Sequence, residues 1–318
     1  MIRTENHHWV PKFLLRNFAS DDGRVFYYNL ANRQIGKRPP KQLASRPNFN
    51  DLLVSGEPTS FERVYERIET RAAPVVKQLI AAKRVSDLSR IQRFALSEFL
   101  AAQSFRTEAY RRGLAAGRQG IDLGDVLSSH LEDIESLALM ISDRRWALME
   151  SPQGTYFLIG DNPLVLQDLE RPSEGGALGL DMANVEVFMP LSPSLALYMP
   201  SREVGDQIVE GYWNALQLAF ASIDGLPNSQ SLGPAEREVV DRCLTSAGPL
   251  YRALRLGEVL PAEQDNVVNL NALQIFWAAN EVFSRSSDFS FVEHVLAESP
   301  SANTIIPVRI EKAQPIRP

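Results

Sequence analysis

Cysteine is nearly missing from this chain. Cys243 is the single one among 318 residues, which excludes an intramolecular disulfide and any cysteine-rich metal site. Disulfides accumulate in oxidising compartments, so one thiol points to a reduced, cytoplasmic setting. Histidine is almost as scarce: there are four, and two of them, His7 and His8, are adjacent. No His-x-x-x-His or His-Glu-x-x-His pair occurs, which excludes a zincin-like centre. Gly-x-Ser-x-Gly, Gly-x-x-x-x-Gly-Lys-Ser/Thr and Gly-x-Gly-x-x-Gly are absent too, removing the nucleophile elbow, the P-loop and the dinucleotide fingerprint. No apolar run approaches the roughly 18 residues that span a bilayer. The charged start has no apolar segment behind it, so neither a membrane partner nor a signal peptide is expected.

What is present is an ordinary globular composition, 44% hydrophobic and 23% charged, enough for a sizeable core. The net charge of −6 hides a split. Residues 1–118 carry 21 Lys/Arg against 11 Asp/Glu, a net of +10, and residues 119–318 carry 12 against 28, a net of −16. A basic first third can attract nucleic acid or a phosphate-bearing ligand. The competing reading is that basic and acidic regions neutralise each other, and it is favoured slightly because Lys and Arg never form a long run.

Hydrophobic spacing predicts the elements. Pro11 opens a short helix over KFLLRNFA that buries Phe13, Leu14 and Phe18. RVFYYNL and IGKRPP read as strands joined at Ala31-Asn32 and stopped by Pro39-Pro40. Phe61, Val64, Tyr65, Ile68 and Ala72 mark a helix that Pro74 should kink or divide. The clearest helix runs from a Ser86 or Asp87 cap to about Gly117, with Ile91, Phe94, Ala95, Phe99 and Ala102 as its buried stripe. Residues 125–143 predict another. From about 145 the pattern turns strand-like: RRWALMES, TYFLIGD, VEVFMPL and LALYMP. A polar glycine-bearing loop, DLERPSEGGALGLDMAN, separates the middle two. Helices follow at 205–222, 234–247 and 265–285, with a strand-like YRALRL at 251–256. The expectation is α+β, helix-rich, with a small mostly antiparallel sheet. It is read as one domain over residues 1–300, basic over 1–118 and acidic over 119–300, followed by a tail over 301–318.

Six stretches occur in an order that resembles a known family: NHHWVPKFLLRNF, GRVFYYN, FLAAQSFRT, FLIGDNPLVL, VFMPLSPSLALYM and NLNALQIFWAANEVFS. The chain is similar, over about residues 6–288, to the bacterial domain-of-unknown-function family numbered 4238. Its pattern has His-x-Val/Ile-Pro near the start, an Arg-Thr helix, and a Ser/Thr-Asp-Asn-Pro turn before Pro-Leu-Ser-Pro. Gly160 departs from that pattern, standing where the family usually has Ser or Thr. The resemblance implies a candidate site but supplies no reaction.

The candidates follow from these places. His8 matches the family's histidine and suits a general base or an anion contact; the alternative is a buried structural imidazole. Adjacent residues point about 100° apart on a helix and to opposite faces of a strand, so His7 and His8 are poor joint ligands for one metal, and His7 is a ligand contact at most. Gln103 and Arg106 lie three apart on one helix face. Arg106 offers a planar fork for phosphate or carboxylate, or else pairs with Glu62, Glu66, Glu69 or Glu98. Glu69 is itself a candidate acid or metal ligand beside the apolar stripe. Asp161 and Asn162 follow an apolar strand at a turn stiffened by Pro163, where catalytic carboxylates are common; an Asx-turn is the alternative. Two function classes result. One is a hydrolase of a phosphodiester, nucleotide or nucleic acid, with His8, Arg106, Asp161 and Glu69 catalytic, His7, Gln103 and Asn162 binding, and a divalent metal an open option. The other is a non-catalytic binding, sensor or toxin-like component of a bacterial operon.

Overall fold

These patterns resolve into an α+β fold in the computed structural model, which describes residues 5–117, 120, 122–168, 170, 178–223 and 232–299. The N-terminal stretch forms β1 (Asn6–His8), α1 (Lys12–Arg16), β2 (Val25–Asn29), β3 (Gln34–Arg38), a 3-10 turn (Pro40–Gln42), β4 (Ser45–Pro47), β5 (Asp51–Val54) and β6 (Glu57–Ser60). Five helices follow: α2 (Glu62–Ala82), α3 (Arg90–Phe105), α4 (Glu108–Gly117), α5 (Leu123–Glu132) and α6 (Ile134–Asp143). Then come β7 (Ala147–Glu150), β8 (Ile159–Gly160), β9 (Val165–Asp168), β10 (Val185–Ser192) and β11 (Leu195–Met199). The last described elements are α7 (Arg202–Ala221), α8 (Pro234–Ser246), α9 (Gly248–Leu256), β12 (Val259–Pro261), α10 (Gln264–Trp277), β13 (Glu281–Ser284) and α11 (Ser290–Glu298).

The strands form two sheets and two short ribbons. One sheet has the order β12-β7-β11-β10-β9, antiparallel except for the β12–β7 pair. Every residue of β11 is buried, as a strand covered on both faces requires. The second sheet, β3-β2-β13-β8, is antiparallel throughout and joins distant regions of the chain, with Asn29 opposite Glu281 and Phe26 opposite Ser284. The ribbons are β1-β4 and β5-β6. The larger hydrophobic cluster draws on residues from Trp9 to Phe283, and a smaller one gathers Tyr28, Leu158, Ile275 and Phe289.

Several elements depart from the sequence reading. α2 is not divided at Pro74: Pro74 lies on the exposed face, where water can meet the carbonyl its missing N–H leaves free. The cap of α3 is Ser89, with a reciprocal capping box to Gln92, rather than Ser86 or Asp87. Ile91 is exposed, because it precedes the turn at which the stripe meets the core. That long helix ends at Phe105 and restarts at Glu108, and 125–143 breaks at Asp133. YRALRL is helical, opened by Gly248-Pro249 and closed by Gly257 at φ +72°. The helix expected over 265–285 stops at Trp277, and Glu281–Ser284 turns into strand because β2 and β8 pair with it.

Candidate functional site

α3 carries Gln103 and Arg106 inward, and both grip the main chain of the N-terminal segment. Gln103 Nε2 donates to the Trp9 carbonyl at 2.8 Å, and Arg106 Nη2 donates to the His8 carbonyl. Arg106 is 1% exposed. Its Nη1 stands 2.8 Å from Glu69 Oε1 of α2, an ion pair not aligned for a hydrogen bond. The guanidinium lies over the Tyr65 ring, 4.7 Å from its centroid. Of the four glutamates that spacing allowed for Arg106, Glu69 is thus the partner.

β1 pairs with β4, and its two histidines enter different surroundings although both are buried. His8 Nε2 donates to the Lys41 carbonyl at 3.2 Å. Burial, then the nearby Lys12 charge, lowers its pKa to about 4, so the ring is neutral near pH 7. His7 Nδ1 accepts from the Asn50 N–H at 3.1 Å, which leaves the neutral ring's proton on Nε2. The same Nδ1 lies 3.8 Å from Asp51 and 3.9 Å from Glu62. Asn50 is fully buried and organises this corner: its Nδ2 donates to Glu62 Oε2 at 2.5 Å, and its Oδ1 accepts from Arg111 Nη2 at 3.0 Å. Arg111 also donates to the Phe49 carbonyl and lies over the Phe49 ring. Burial raises the Glu62 carboxyl above its usual value and pushes the Tyr65 hydroxyl up to about 12. The Tyr65 hydroxyl, Gln103 Oε1 and Arg106 Nε have no hydrogen-bond partner among the described residues.

His7 and Glu62 also face a groove of about 730 Å³ between α2 and the β5-β6 ribbon. Glu5, Asp51 and Glu66 add carboxylates to its walls, and Arg63 adds one cation. Sequence reasoning named His7 as a ligand contact but missed Asn50, Asp51 and Arg111. Asn50 sits in an aperiodic polar stretch, and only its burial marks it out.

Asp161 and Asn162 are buried at a different place, the end of β8. Asp161 accepts from the N–H of Ala279 at 2.7 Å, the N–H of Asn280 at 3.0 Å and Asn280 Nδ2 at 2.9 Å. The expected partners, His8 and Arg106, are not among its donors; the backbone after α10 meets the carboxylate instead. Burial raises Asp161 to about 6, held back by these donors. Burial, and then the Asp161 charge, raises the adjacent Glu281 to about 7. Behind them Arg112 donates to Asn280 Oδ1 at 2.6 Å and to Glu108. α4 therefore serves two polar groups, Arg111 toward Asn50 and Arg112 toward Asn280. Gly160 has a local cause: a Cβ there would meet the Gln274 carbonyl oxygen at 2.6 Å, and its N–H donates to Gln274 Oε1 at 2.8 Å. A serine or threonine does not fit without moving α10.

Among the described residues no three His, Cys, Asp or Glu side chains gather as a metal ion requires, and no helix is long and apolar enough to cross a membrane. Comparison with known families finds one described as "Protein of unknown function (DUF4238)", matched over residues 6–288. No curated protein and no solved structure matches the chain.

Proposed function

The chain belongs to the DUF4238 family, and from its own geometry we propose that it is a binding protein whose ligand sits in the groove over His7. One observation carries this reading: the buried His7 ring, fixed through Nδ1 by Asn50, lines an open groove together with Asp51, Glu62 and Glu66. The groove's volume falls within the roughly 300–1,000 Å³ of small-ligand sites. Four carboxylates against Arg63 select a cation, so the ligand class is a small organic ammonium compound. Isothermal titration with spermidine at low salt tests it. Binding that weakens in Asp51→Asn and Glu66→Gln is expected; no binding, or binding indifferent to both changes, overturns it.

A second reading, a hydrolase of a phosphodiester, nucleotide or nucleic acid, is favoured by His7 standing between two carboxylates, one of them raised by burial. With Nδ1 held by the Asn50 N–H, His7 then offers Nε2–H as a donor to the substrate, and the base role first expected of His8 falls to the Glu62 carboxyl beside it. Arg106, Glu69 and Gln103 act by holding the N-terminal segment, and Asp161 and Asn162 belong to a separate turn. Turnover of bis(p-nitrophenyl) phosphate, with and without magnesium, that disappears in His7→Ala would establish this reading over the first.

A further inference from the structure

A second cavity, of about 460 Å³, lies where α3, the start of β7, the first turn of α7 and the end of α9 meet. Its walls hold five arginines, Arg93, Arg144, Arg145, Arg202 and Arg255, against two carboxylates, Asp143 and Asp206. Four of the five come from residues 119–318, which are net −16 with only 12 Lys/Arg in all. A third of that region's cations therefore converge on one hollow, against the sign of the region.

The two carboxylates do not neutralise the cations that face the cavity; Arg144 is turned to the Leu180, Val185 and Met199 carbonyls, with Asp181, Glu186 and Glu203 nearby. Asp206 is shared: Arg145 Nη2 is 2.8 Å from it and Arg202 Nε is 3.8 Å from it. Asp143 pairs with Arg202. Arg93 and Arg144 donate to main-chain carbonyls instead. Arg93 reaches Ser142 at 2.9 Å and Arg144 at 2.6 Å, and the Arg144 side chain reaches Val185 at 2.7 Å. A carbonyl orients a guanidinium without cancelling its charge. Arg255 has no ion-pair partner among the described residues. Val85, Leu88 and Leu254 supply an apolar wall.

We propose that this arginine-lined cavity binds a small phosphate-bearing molecule. Without Arg144 its four arginines and two carboxylates leave a formal charge of +2, and guanidinium forks match phosphate oxygens in pairs. The apolar wall leaves room for an organic group on the phosphate. This site is separate from the groove over His7 and of opposite charge, so it stands whether or not that groove binds a cation.

Titration of the full chain with phenyl phosphate and with inorganic phosphate, at low salt and pH 8, tests the proposal. Saturable binding is expected for both, tighter for phenyl phosphate. Arg255→Gln removes an exposed cation that no other described residue needs, and should weaken both by roughly tenfold, the scale of one lost charge-assisted contact. Arg33→Gln, on an exposed hairpin turn elsewhere, should leave binding unchanged. No binding by the wild type, or equal weakening by Arg255→Gln and Arg33→Gln, overturns the proposal; the latter would mark diffuse surface attraction. Arg202→Gln supplies a second check, since it also frees Asp143 and Asp206 and should weaken binding further.

Discussion

At the scale of single residues, Arg106 shows how a side chain suited to a ligand can be consumed by its own chain. Its fork takes the His8 carbonyl and the Glu69 carboxylate. Arg106→Met should lower unfolding stability by about 3 kcal/mol, the cost of breaking a buried pair, read from urea denaturation. Asp161 meets donors with both oxygens. Asp161→Asn turns an amide NH2 toward N–H groups and should cost about 1–3 kcal/mol. The titrations here have opposite signs. Asp161 and Glu281 stand above their usual values when folded, at about 6 and about 7. Their contribution is full below about pH 4 and is lost as pH rises through 6 and 7. His8 is lowered to about 4 from 6.5, so its contribution is full above about 6.5 and lost as pH falls toward 4. Denaturation midpoints between pH 4 and 8 should therefore fall less on the neutral side in Glu281→Gln, and less on the acid side in His8→Gln. The inward face of Gln103 and Arg106 was legible from their spacing. What they grip was not, because main-chain carbonyls 94 and 98 residues earlier leave no trace in side-chain pattern.

At the scale of elements, local signals decided the outcome wherever neighbours did not intervene. The β2–β3 hairpin, α7, α8 and the β10–β11 pair follow from alternation, helical spacing and turn residues. α9 had its own markers, Pro249 near the start and Gly257 at the end, outweighed by the alternating apolar residues of YRALRL. β13 had none: the pull that makes it a strand comes from β2 and β8, and Asp161 fixes the turn that delivers it. Pro74 offers a test of α2. Restoring the missing N–H with Pro74→Ala should raise stability by about 1 kcal/mol, less than the roughly 3 kcal/mol of a buried interior proline, because the freed carbonyl already lies on the solvent side. A thermal melt that drops instead would mean that Pro74 itself is required for α2 to pack on α3.

At the scale of the whole molecule, most cations of the first third stay on the surface and only a few turn inward. Arg93, Arg106 and Arg111 all donate to main-chain carbonyls, two of them beside aromatic rings of the same region. The α+β class was legible from composition and period. The division into two sheets was not, since the second is assembled from strands far apart in sequence, β2 and β3, β8 and β13. Removing residues 1–10 should be severe for its length: it strips β4 of its partner and leaves Gln103 and Arg106 facing an empty channel. Limited proteolysis of the shortened chain should show cleavage in the 40–60 region that the full chain resists.

The β2–β13 pairing also fixes a schedule. β2 and β3 are made early, yet the strand that β2 borders in the finished sheet lies some 250 residues later. At about 5–20 residues per second, a ribosome leaves that hairpin edge without its neighbour for roughly ten to fifty seconds. Throughout that interval the edge formed by Val25–Asn29 is open to any other nascent strand. The tolerance of this chain to crowded synthesis therefore rests on the first hairpin remaining solitary until Glu281–Ser284 has emerged.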